Sequence, residues 1–293
     1  MFSRRKKIKV FDVLNTVFMI FIMFITLYPL YYIVIASFSD PAALSLETGF
    51  IWKPLQPYTL SAYKAVFDND MVLIGFKNTA IVLVLGVTVN MVMTIIGAYF
   101  LSLDGPMFKS GIAIMIIFTM YFSGGMVPSY LNMRDLHLLN TIWALILPGA
   151  IGTGNLIIMK SAFQSLPISL TESAKLDGAS DFQILVKVLV PLSKATIAVL
   201  VLYYGVSHWN AWFNASIYLR DRNLYPLQLV ARNILIMAET GSMSGGVAAD
   251  DMASYVELLK YALIVVSTVP ILVLYPFLQK YFVKGVMVGS IKG

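Results

Sequence analysis

The sequence predicts an all-α integral membrane protein with six transmembrane helices, and three observations lead to this fold class. Hydrophobic residues make up 59% of the chain and charged residues only 12%, whereas a soluble domain is about one quarter charged. The mean hydropathy is +0.80. Apolar runs of about 20 residues recur along the chain, and each can cross a hydrocarbon core of about 30 Å as a helix.

The apolar runs place the predicted spans near 12–38, 75–103, 110–131, 140–162, 195–218 and 256–282. Two of these runs contain residues that interrupt helices. Gly124, Gly125 and Pro128 fall near the end of the third, and Pro148 is followed by several glycines inside the fourth. The apolar signal for the third and fourth spans is therefore interrupted.

The first predicted span follows the basic segment MFSRRKKIKV, an arrangement found in signal peptides and in uncleaved anchors. The apolar run is longer than a signal-peptide core, and no small-residue cleavage site of the A-x-A kind follows it. We therefore predict an uncleaved anchor.

The distribution of basic residues predicts the orientation. With six spans and the N-terminus inside, most of the 21 lysines and arginines fall in inner segments, so the positive-inside rule places both termini in the cytoplasm. Basic residues at the inner membrane face account for the net charge of +6 without a nucleic acid partner. The absence of cysteine excludes disulfides, thiolate chemistry and cysteine metal sites.

Two longer segments are predicted to lie outside. Residues 39–76 form an irregular loop with a short helix at 61–67. Residues 220–254 form a second loop whose centre, ETGSMSGG, has the composition of a flexible turn. A loop of this length is usually functional or disordered. No internal repeat is visible, so the spans are predicted to form one helical domain.

The segment SLTESAKLDGASDFQILVKVLVPLSK, residues 169–194, is polar in an otherwise apolar chain. Ser169 and Glu172 fit a capping box, and Gly178 suits the position just after a helix. Ser180 and Gln183 fit a second capping box, and Pro191 is predicted to stop or bend the helix that follows. The sequence therefore predicts a helix, a glycine turn and a second helix.

Three interpretations of this helical pair compete. A DNA-binding helix-turn-helix has similar punctuation, but a pair held between two spans could hardly reach a major groove. A simple connector between spans needs neither two capping boxes nor an apolar face outside the lipid. We therefore favour a docking surface for a cytoplasmic partner.

The spacing of this segment resembles the EAA loop of ABC importer permeases, which reads E-A-A, three residues, G, nine residues and I-x-L-P. Here Glu172, Ser173 and Ala174 are followed by Gly178, and nine residues later by VLVP ending at Pro191. The segment departs by Ser173 in place of the second alanine and by valines near the proline, changes that are conservative in size.

The resemblance extends over most of the chain beyond residue 75. The segments DGASDFQILVKVLVPLSK and FLQKYFVKGVMVGSIKG are similar to the smaller six-span permease of the maltose-importer class. The implied fold is a type I ABC importer transmembrane domain in a bacterial inner membrane. The implied domains are residues 1–74 with the first span, the transmembrane domain 75–282 with the coupling loop near 165–191, and a cytoplasmic tail 283–293.

The resemblance also implies partners and residue roles. The partners are a homologous second permease, two ATP-binding subunits that hold ATP and Mg, an extracellular solute-binding protein and its saccharide, with lipid around the spans. The implied ATPase-coupling residues are Glu172, Ser173, Ala174, Asp177, Gly178 and Pro191. The binding protein would contact Gly241, Ser242, Met243, Ser244 and Gly245, and Gly289 and Lys292 of the tail would reach the ATPase interface.

The sequence contains no motif for chemistry of its own. No phosphate-binding G-x-x-x-x-G-K-[ST] loop is present, so no nucleotide hydrolysis, catalytic residue or cofactor is predicted in this chain. His137 and His208 lack ligand-spaced partners and are predicted to be structural rather than metal-binding. No acidic residue lies well inside a span, which argues against a proton- or sodium-coupled secondary transporter; a channel or scaffold subunit is a further alternative.

Polar residues of the fifth predicted span mark a candidate substrate path. Tyr203, Ser207, Asn210 and Asn214 are spaced four, three and four residues apart, so they are predicted to share one helical face. The alternative is interhelical hydrogen bonding, which would satisfy the same side chains. Tyr204, Trp209 and Trp212 offer flat faces for sugar rings, and Asn155 is a further candidate. The chain is similar to the branch of its class that handles oligosaccharides from plant or algal polysaccharides, some of them uronate-rich.

Overall fold

The structure, a computed structural model, describes residues 10–242, 256 and 258–273, and the described residues form helices joined by loops without strands. The described residues divide into two compact units by their contacts. The first contains the described residues of Met1–Asn69 and Asn233–Thr268, and the second contains the described residues of Asp70–Arg232 and Val269–Gly293.

In the first unit, α1 (Val10–Ser37) is a long apolar helix that matches the first predicted span. It is followed by α2 (Pro41–Leu46), which Asp40 caps, and by α3 (Ser61–Phe67), the short helix predicted for the first outer loop. Ile35 and Ala36 of α1 pack with Leu44 and Ile51 in a small buried cluster.

The second unit is built around α4 (Asp70–Ser102), which matches the second predicted span. The third predicted span, 110–131, is wrong as a continuous helix. α5 (Lys109–Tyr121) ends before the glycine pair, and α6 (Met126–Asp135) is bent away from it by 119°. Gly125, at φ +92°, lies in the left-handed region that other residues avoid, and it allows this sharp change in direction.

The fourth predicted span is also broken. The helical segment Trp143–Gly149, which contains α7 (Trp143–Ile146), and α8 (Thr153–Gln164) meet at an angle of 53°. The break falls at Pro148, Gly149 and Gly152, residue types that commonly interrupt a helix.

The polar segment that follows contains α9 (Ile168–Leu176), α10 (Asp181–Ile184), a π turn (Leu185–Leu189) and α11 (Val190–Leu192). At Ser193 the chain turns by 85° into α12 (Lys194–Trp209). Pro191 cannot donate a helical hydrogen bond, which agrees with the predicted bend after it.

The fifth predicted span, 195–218, is likewise wrong as one helix. α12 ends at Trp209, Asn210 forms its C-cap, and a separate helix, α13 (Phe213–Tyr218), follows. The second outer loop is also more ordered than predicted, because α14 (Leu227–Ser242) occupies much of it and extends into the ETGSMSGG segment. α15 (Leu258–Val273) is the described part of the sixth predicted span.

Helices α4, α8 and α12 share the main core of the second unit. Met91, Ala98 and Leu101 of α4 pack with residues of the other two helices and of the π turn. The remaining buried members are Leu156, Met159, Phe163, Ile184, Leu185, Leu189, Leu200 and Tyr204. This core connects the segment 168–192 to the membrane-spanning helices by direct packing.

Candidate functional site

The start of α9 differs from the prediction. Pro167 is the N-cap of this helix and no side chain caps it, so the predicted capping box of Ser169 and Glu172 is wrong. Pro167 lacks an amide hydrogen and cannot continue the preceding helix, and its fixed φ suits the residue that precedes a new one. Ser169 and Glu172 therefore lie inside α9.

The end of α9 confirms the predicted glycine position. Gly178 has φ +81°, and its amide donates to the Lys175 carbonyl at 3.0 Å. The Ala179 amide donates to the Ala174 carbonyl at 2.9 Å, and the two bonds together form a Schellman motif. A Cβ at Gly178 would meet nothing within 4 Å, so the positive φ, and not a lack of space, is what favours glycine at this position.

The second capping box is confirmed. The Ser180 amide donates to Oε1 of Gln183 at 2.9 Å, and the Gln183 amide donates to Oγ of Ser180 at 3.4 Å. The Tyr99 hydroxyl donates to Oδ1 of Asp181 at 3.1 Å and joins the start of α10 to the end of α4. The glycine turn is thus fixed on both sides.

The helical pair exposes apolar side chains. Leu176 is 90% exposed and Phe182 is 73% exposed, on either side of the glycine turn. The predicted coupling residues around them are mostly exposed: Glu172, Ser173, Asp177, Gly178 and Pro191 are exposed and Ala174 is half-buried. Large apolar side chains exposed next to carboxylates are typical of a surface that a partner covers.

A cavity of about 380 Å³ lies behind this surface, between α9, the end of α8 and the end of α4. Its lining mixes charged and apolar side chains, with Glu172, Lys175 and Asp104 among the charged ones. Glu172, one of the predicted coupling residues, therefore borders both the exposed surface and this cavity.

The predicted substrate-path residues fall into two groups. Tyr203, Ser207, Asn210 and Asn214 are exposed. Only Tyr203 and Ser207 belong to α12, because the helix ends at Trp209, so the prediction that all four share one helical face is wrong. Asn214 lies on α13, after a break in the chain.

Tyr204 is buried, and its contacts are structural. Its hydroxyl lies 2.7 Å from Oγ1 of Thr94 and accepts a hydrogen bond from the Gly152 amide at 2.9 Å. Asn155 is half-buried and lies near the same glycine: a Cβ built on Gly152 would be 3.4 Å from Nδ2 of Asn155. Of the two predicted roles, interhelical hydrogen bonding is therefore the one that Tyr204 has. Its hydroxyl links α12 to α4 and to the break before α8.

A second pair of side chains holds the other end of the break. Nδ2 of Asn90 donates to the Gly149 carbonyl at 2.6 Å. Oδ1 of Asn90 lies 2.7 Å from Nε2 of His208, which must therefore carry the proton. We call Asn90, Thr94, Tyr204 and His208 the polar core network.

Asn90 and Thr94 were not among the residues predicted to be important. A pattern in the sequence could have revealed them, because polar or small residues recur at every fourth or eighth position of α4: Asn78, Gly86, Asn90, Thr94 and Ala98. Residues four apart lie on successive turns, so these residues form one stripe that winds slowly around α4. Gly86 on that face leaves room for the histidine, since a Cβ there would lie 2.5 Å from Nε2 of His208.

The segment after α12 is also held by polar side chains of α4. Nδ2 of Asn78 donates to the carbonyls of Asn223 and Tyr225 at 2.7 and 3.1 Å. Further along, the Arg232 guanidinium carbon lies 3.7 Å from the centroid of the Trp212 ring. This stacked pair was not anticipated as a unit, because the two residues lie on different helical segments.

The remaining predicted contacts are described only in part. Gly241 and Ser242 belong to the end of α14 rather than to a flexible turn. Met243, Ser244 and Gly245 lie outside the described residues, as do Gly289 and Lys292 of the tail.

Residues 106–288 match the family model described as "Binding-protein-dependent transport system inner membrane component". The chain is 41% identical to Protein LplC of Bacillus subtilis, over 97% of this chain and 96% of that protein. It is 38% identical to the polygalacturonan/rhamnogalacturonan transport system permease protein YtcP of the same organism, over 98% and 100% of the two chains. Among solved structures, a chain of a bacterial ABC transporter involved in import of the acidic polysaccharide alginate superposes with a TM-score of 0.85, at 33% identity, over 96% of this chain and 99% of that chain.

Proposed function

The chain belongs to the family of binding-protein-dependent transport system inner membrane components, and from this premise we propose that it imports an oligosaccharide rich in uronate residues. The chain is an ABC importer permease for saccharides with a type I transmembrane domain, and it is not an enzyme. Because the chain belongs to this family, the alternatives of a secondary transporter and of a channel or scaffold subunit are excluded.

The acidic substrate class is supported by the relatives. One relative of nearly equal length is named for polygalacturonan and rhamnogalacturonan, and the similar solved structure comes from an importer of alginate, an acidic polysaccharide. Both substrates carry carboxylates on sugar rings.

The coupling role rests on the exposed helical pair. Leu176 and Phe182 present apolar surface beside a turn that the Schellman motif and the capping box hold in place. When a partner bound to this surface moves, a rigid helical pair can transmit the movement to α12 through the π turn, whose Leu185 and Leu189 are buried. In our proposal the partners on this side are two ATP-binding subunits, which hold ATP and Mg, and Glu172, Ser173, Ala174, Asp177, Gly178 and Pro191 contribute to their docking.

The remaining partners complete the importer. A homologous second permease would pair with this chain in the membrane, and an outer solute-binding protein would deliver the sugar. The residues 241–245 at and beyond the end of α14 would contact the binding protein, and the tail with Gly289 and Lys292 would reach the ATPase interface. Tyr203, Ser207, Asn210 and Asn214, which are exposed, would line the path, and the half-buried Asn155 is a further candidate; Tyr204 would support the path from its buried position. Both termini would be cytoplasmic.

The test is uptake by the reconstituted importer. This chain, the second permease and the ATP-binding subunits are placed in proteoliposomes, and uptake of labelled trigalacturonate is measured with binding protein and ATP. We expect uptake that requires both. Leu176→Asp should prevent assembly with the ATP-binding subunits, whereas Leu46→Asp, at an 83% exposed position of α2, should not. Saccharide uptake without ATP, or normal assembly of Leu176→Asp, would contradict the proposal.

A further inference from the structure

The stacked pair of Arg232 and Trp212 gives the second unit an arginine held in one orientation. The Trp212 ring is half-buried and packs against the cluster that includes Val82, Leu145 and Leu229. Arg232 follows the buried residue Ala231 on α14, so its backbone is also fixed. Its guanidinium lies over the ring at 3.7 Å, and the residue is exposed. Stacking on an aromatic face leaves the edge of a guanidinium, with its N–H donors, free to bind.

No carboxylate within the described ranges neutralises Arg232. The two ion pairs found there are Lys109 with Asp104 and Arg134 with Asp135. The acidic residue of segment 210–232, Asp221, accepts a hydrogen bond from the Asn223 amide and caps a short 3₁₀ helix. The charge of Arg232 is therefore available to an external anion.

The position of this charge also calls for an explanation. Segment 210–232 contains three arginines and one aspartate, and in the proposed orientation it lies toward the outer side of the membrane. The positive-inside rule gives basic residues no advantage on that side. A fixed arginine there is explained if it meets an anion during transport.

The chemistry around Arg232 suits a sugar acid. A guanidinium edge binds a carboxylate through two parallel hydrogen bonds, a geometry that an ammonium group cannot provide. Segment 210–232 also contains Asn210 and Asn214, whose exposed side-chain amides can donate hydrogen bonds to sugar hydroxyls and accept them. Segment 210–232 thus offers groups for both parts of a uronate ring.

We propose that Arg232, oriented by Trp212, is a subsite of this permease for the carboxylate of a uronate unit in the transported oligosaccharide. The inference rests on the proposed function and assigns the selectivity for acidic sugars to a named side chain. Trp212 is a positioning residue in this scheme, because its ring face holds the guanidinium and does not itself meet the sugar.

The test compares acidic and neutral sugars in the complete importer. Uptake of trigalacturonate and of its carboxyl-reduced neutral counterpart is measured in proteoliposomes, each at a concentration that saturates the binding protein. Binding-protein-stimulated ATPase activity is recorded in the same samples. The variants are Arg232→Gln, Arg232→Lys and, as a matched control, Arg222→Gln, another exposed arginine of the same segment.

For Arg232→Gln we expect uptake of the acidic sugar per ATP hydrolysed to fall at least about tenfold, which corresponds to about 1.4 kcal/mol. Tenfold is the scale expected for the loss of one charge-assisted contact. Uptake of the neutral sugar should stay within about twofold of wild type, because this sugar has no carboxylate for Arg232 to bind. Arg232→Lys should lie between wild type and Arg232→Gln, and Arg222→Gln should resemble wild type.

Three results would overturn the proposal. An equal loss for both sugars would mean that Arg232 supports the structure or binds a lipid phosphate, and unchanged acidic uptake would mean that it meets no substrate. A loss as large in Arg222→Gln would indicate a general effect of positive charge. If the wild-type importer takes up neither sugar, the proposed function itself fails, so the two failures are distinguishable.

Discussion

Removing the Tyr204 hydroxyl should destabilise the second unit at the break before α8. Tyr204→Phe deletes one oxygen and leaves the ring in its buried position, where 5% of the residue is exposed. The hydroxyl contacts Oγ1 of Thr94 at 2.7 Å and the Gly152 amide at 2.9 Å. The variant therefore breaks two hydrogen bonds without opening a large cavity.

The expected loss follows from those two bonds. A typical intramolecular hydrogen bond contributes about 1 kcal/mol net, and interhelical bonds in a membrane protein average about 0.6 kcal/mol. Thr94 is fully buried, so its hydroxyl gains no water in exchange. We expect Tyr204→Phe to lower the free energy of unfolding by about 1–2 kcal/mol.

The assay is reversible unfolding of the purified chain in mixed micelles by a denaturing detergent, with Tyr203→Phe as the control. Tyr203 is 42% exposed on the neighbouring position of α12, and no described residue bonds its hydroxyl. A double-mutant cycle with Thr94→Val should give a coupling of about 0.6 kcal/mol or more. Equal stability of the two phenylalanine variants, or full additivity in the cycle, would refute the reasoning.

Three further predictions concern coupling. Gly178→Val should cost about 1–2 kcal/mol at the turn, because φ is positive there, and should abolish binding-protein-stimulated ATPase activity. Gly178→Asn, which tolerates this backbone, should keep most of that activity; equal loss in both would show that the backbone is not the cause. Deleting residues 241–246 should weaken stimulation by the binding protein while membrane insertion persists, and wild-type delivery kinetics would make this segment passive. Removing residues 289–293 should lower stimulated ATPase activity and uptake without loss of assembly, and a truncated importer that transports at full rate would show that the tail has no role.

Much of the fold could be predicted from local features of the sequence. Composition and apolar runs indicated a helical membrane protein, and α1, α3 and α4 lie where the runs and caps predicted them. Gly178 and the Ser180 capping box were predicted because these signals act within a few residues of the backbone they shape. The error at Ser169 arose from the same kind of signal, since α9 begins earlier, with Pro167 at the N-cap position.

The breaks in the helices depended on more than local signals. An apolar run predicts that a segment lies in the membrane, but it does not say whether the helix continues through it. The run 195–218 reads as one span, yet α12 ends at Trp209 and Asn214 belongs to another helix. The candidate path therefore changed from one helical face to exposed residues on two segments.

By itself, the sequence determined the membrane class, the helical pair 168–192 and its glycine turn, because hydropathy and capping act locally. Only the tertiary structure decided which polar side chains meet. Thr94 pairs with Tyr204 across 110 positions, Asn90 reaches both His208 and the Gly149 carbonyl, and Arg232 lies over Trp212. The pairs of Thr94 and Asn90 form because a polar group buried between helices must find a partner there, and the packing of α4, α8 and α12 determines which partner is in reach. The pair of Arg232 and Trp212 forms because the fold brings α14 against the connection after α12.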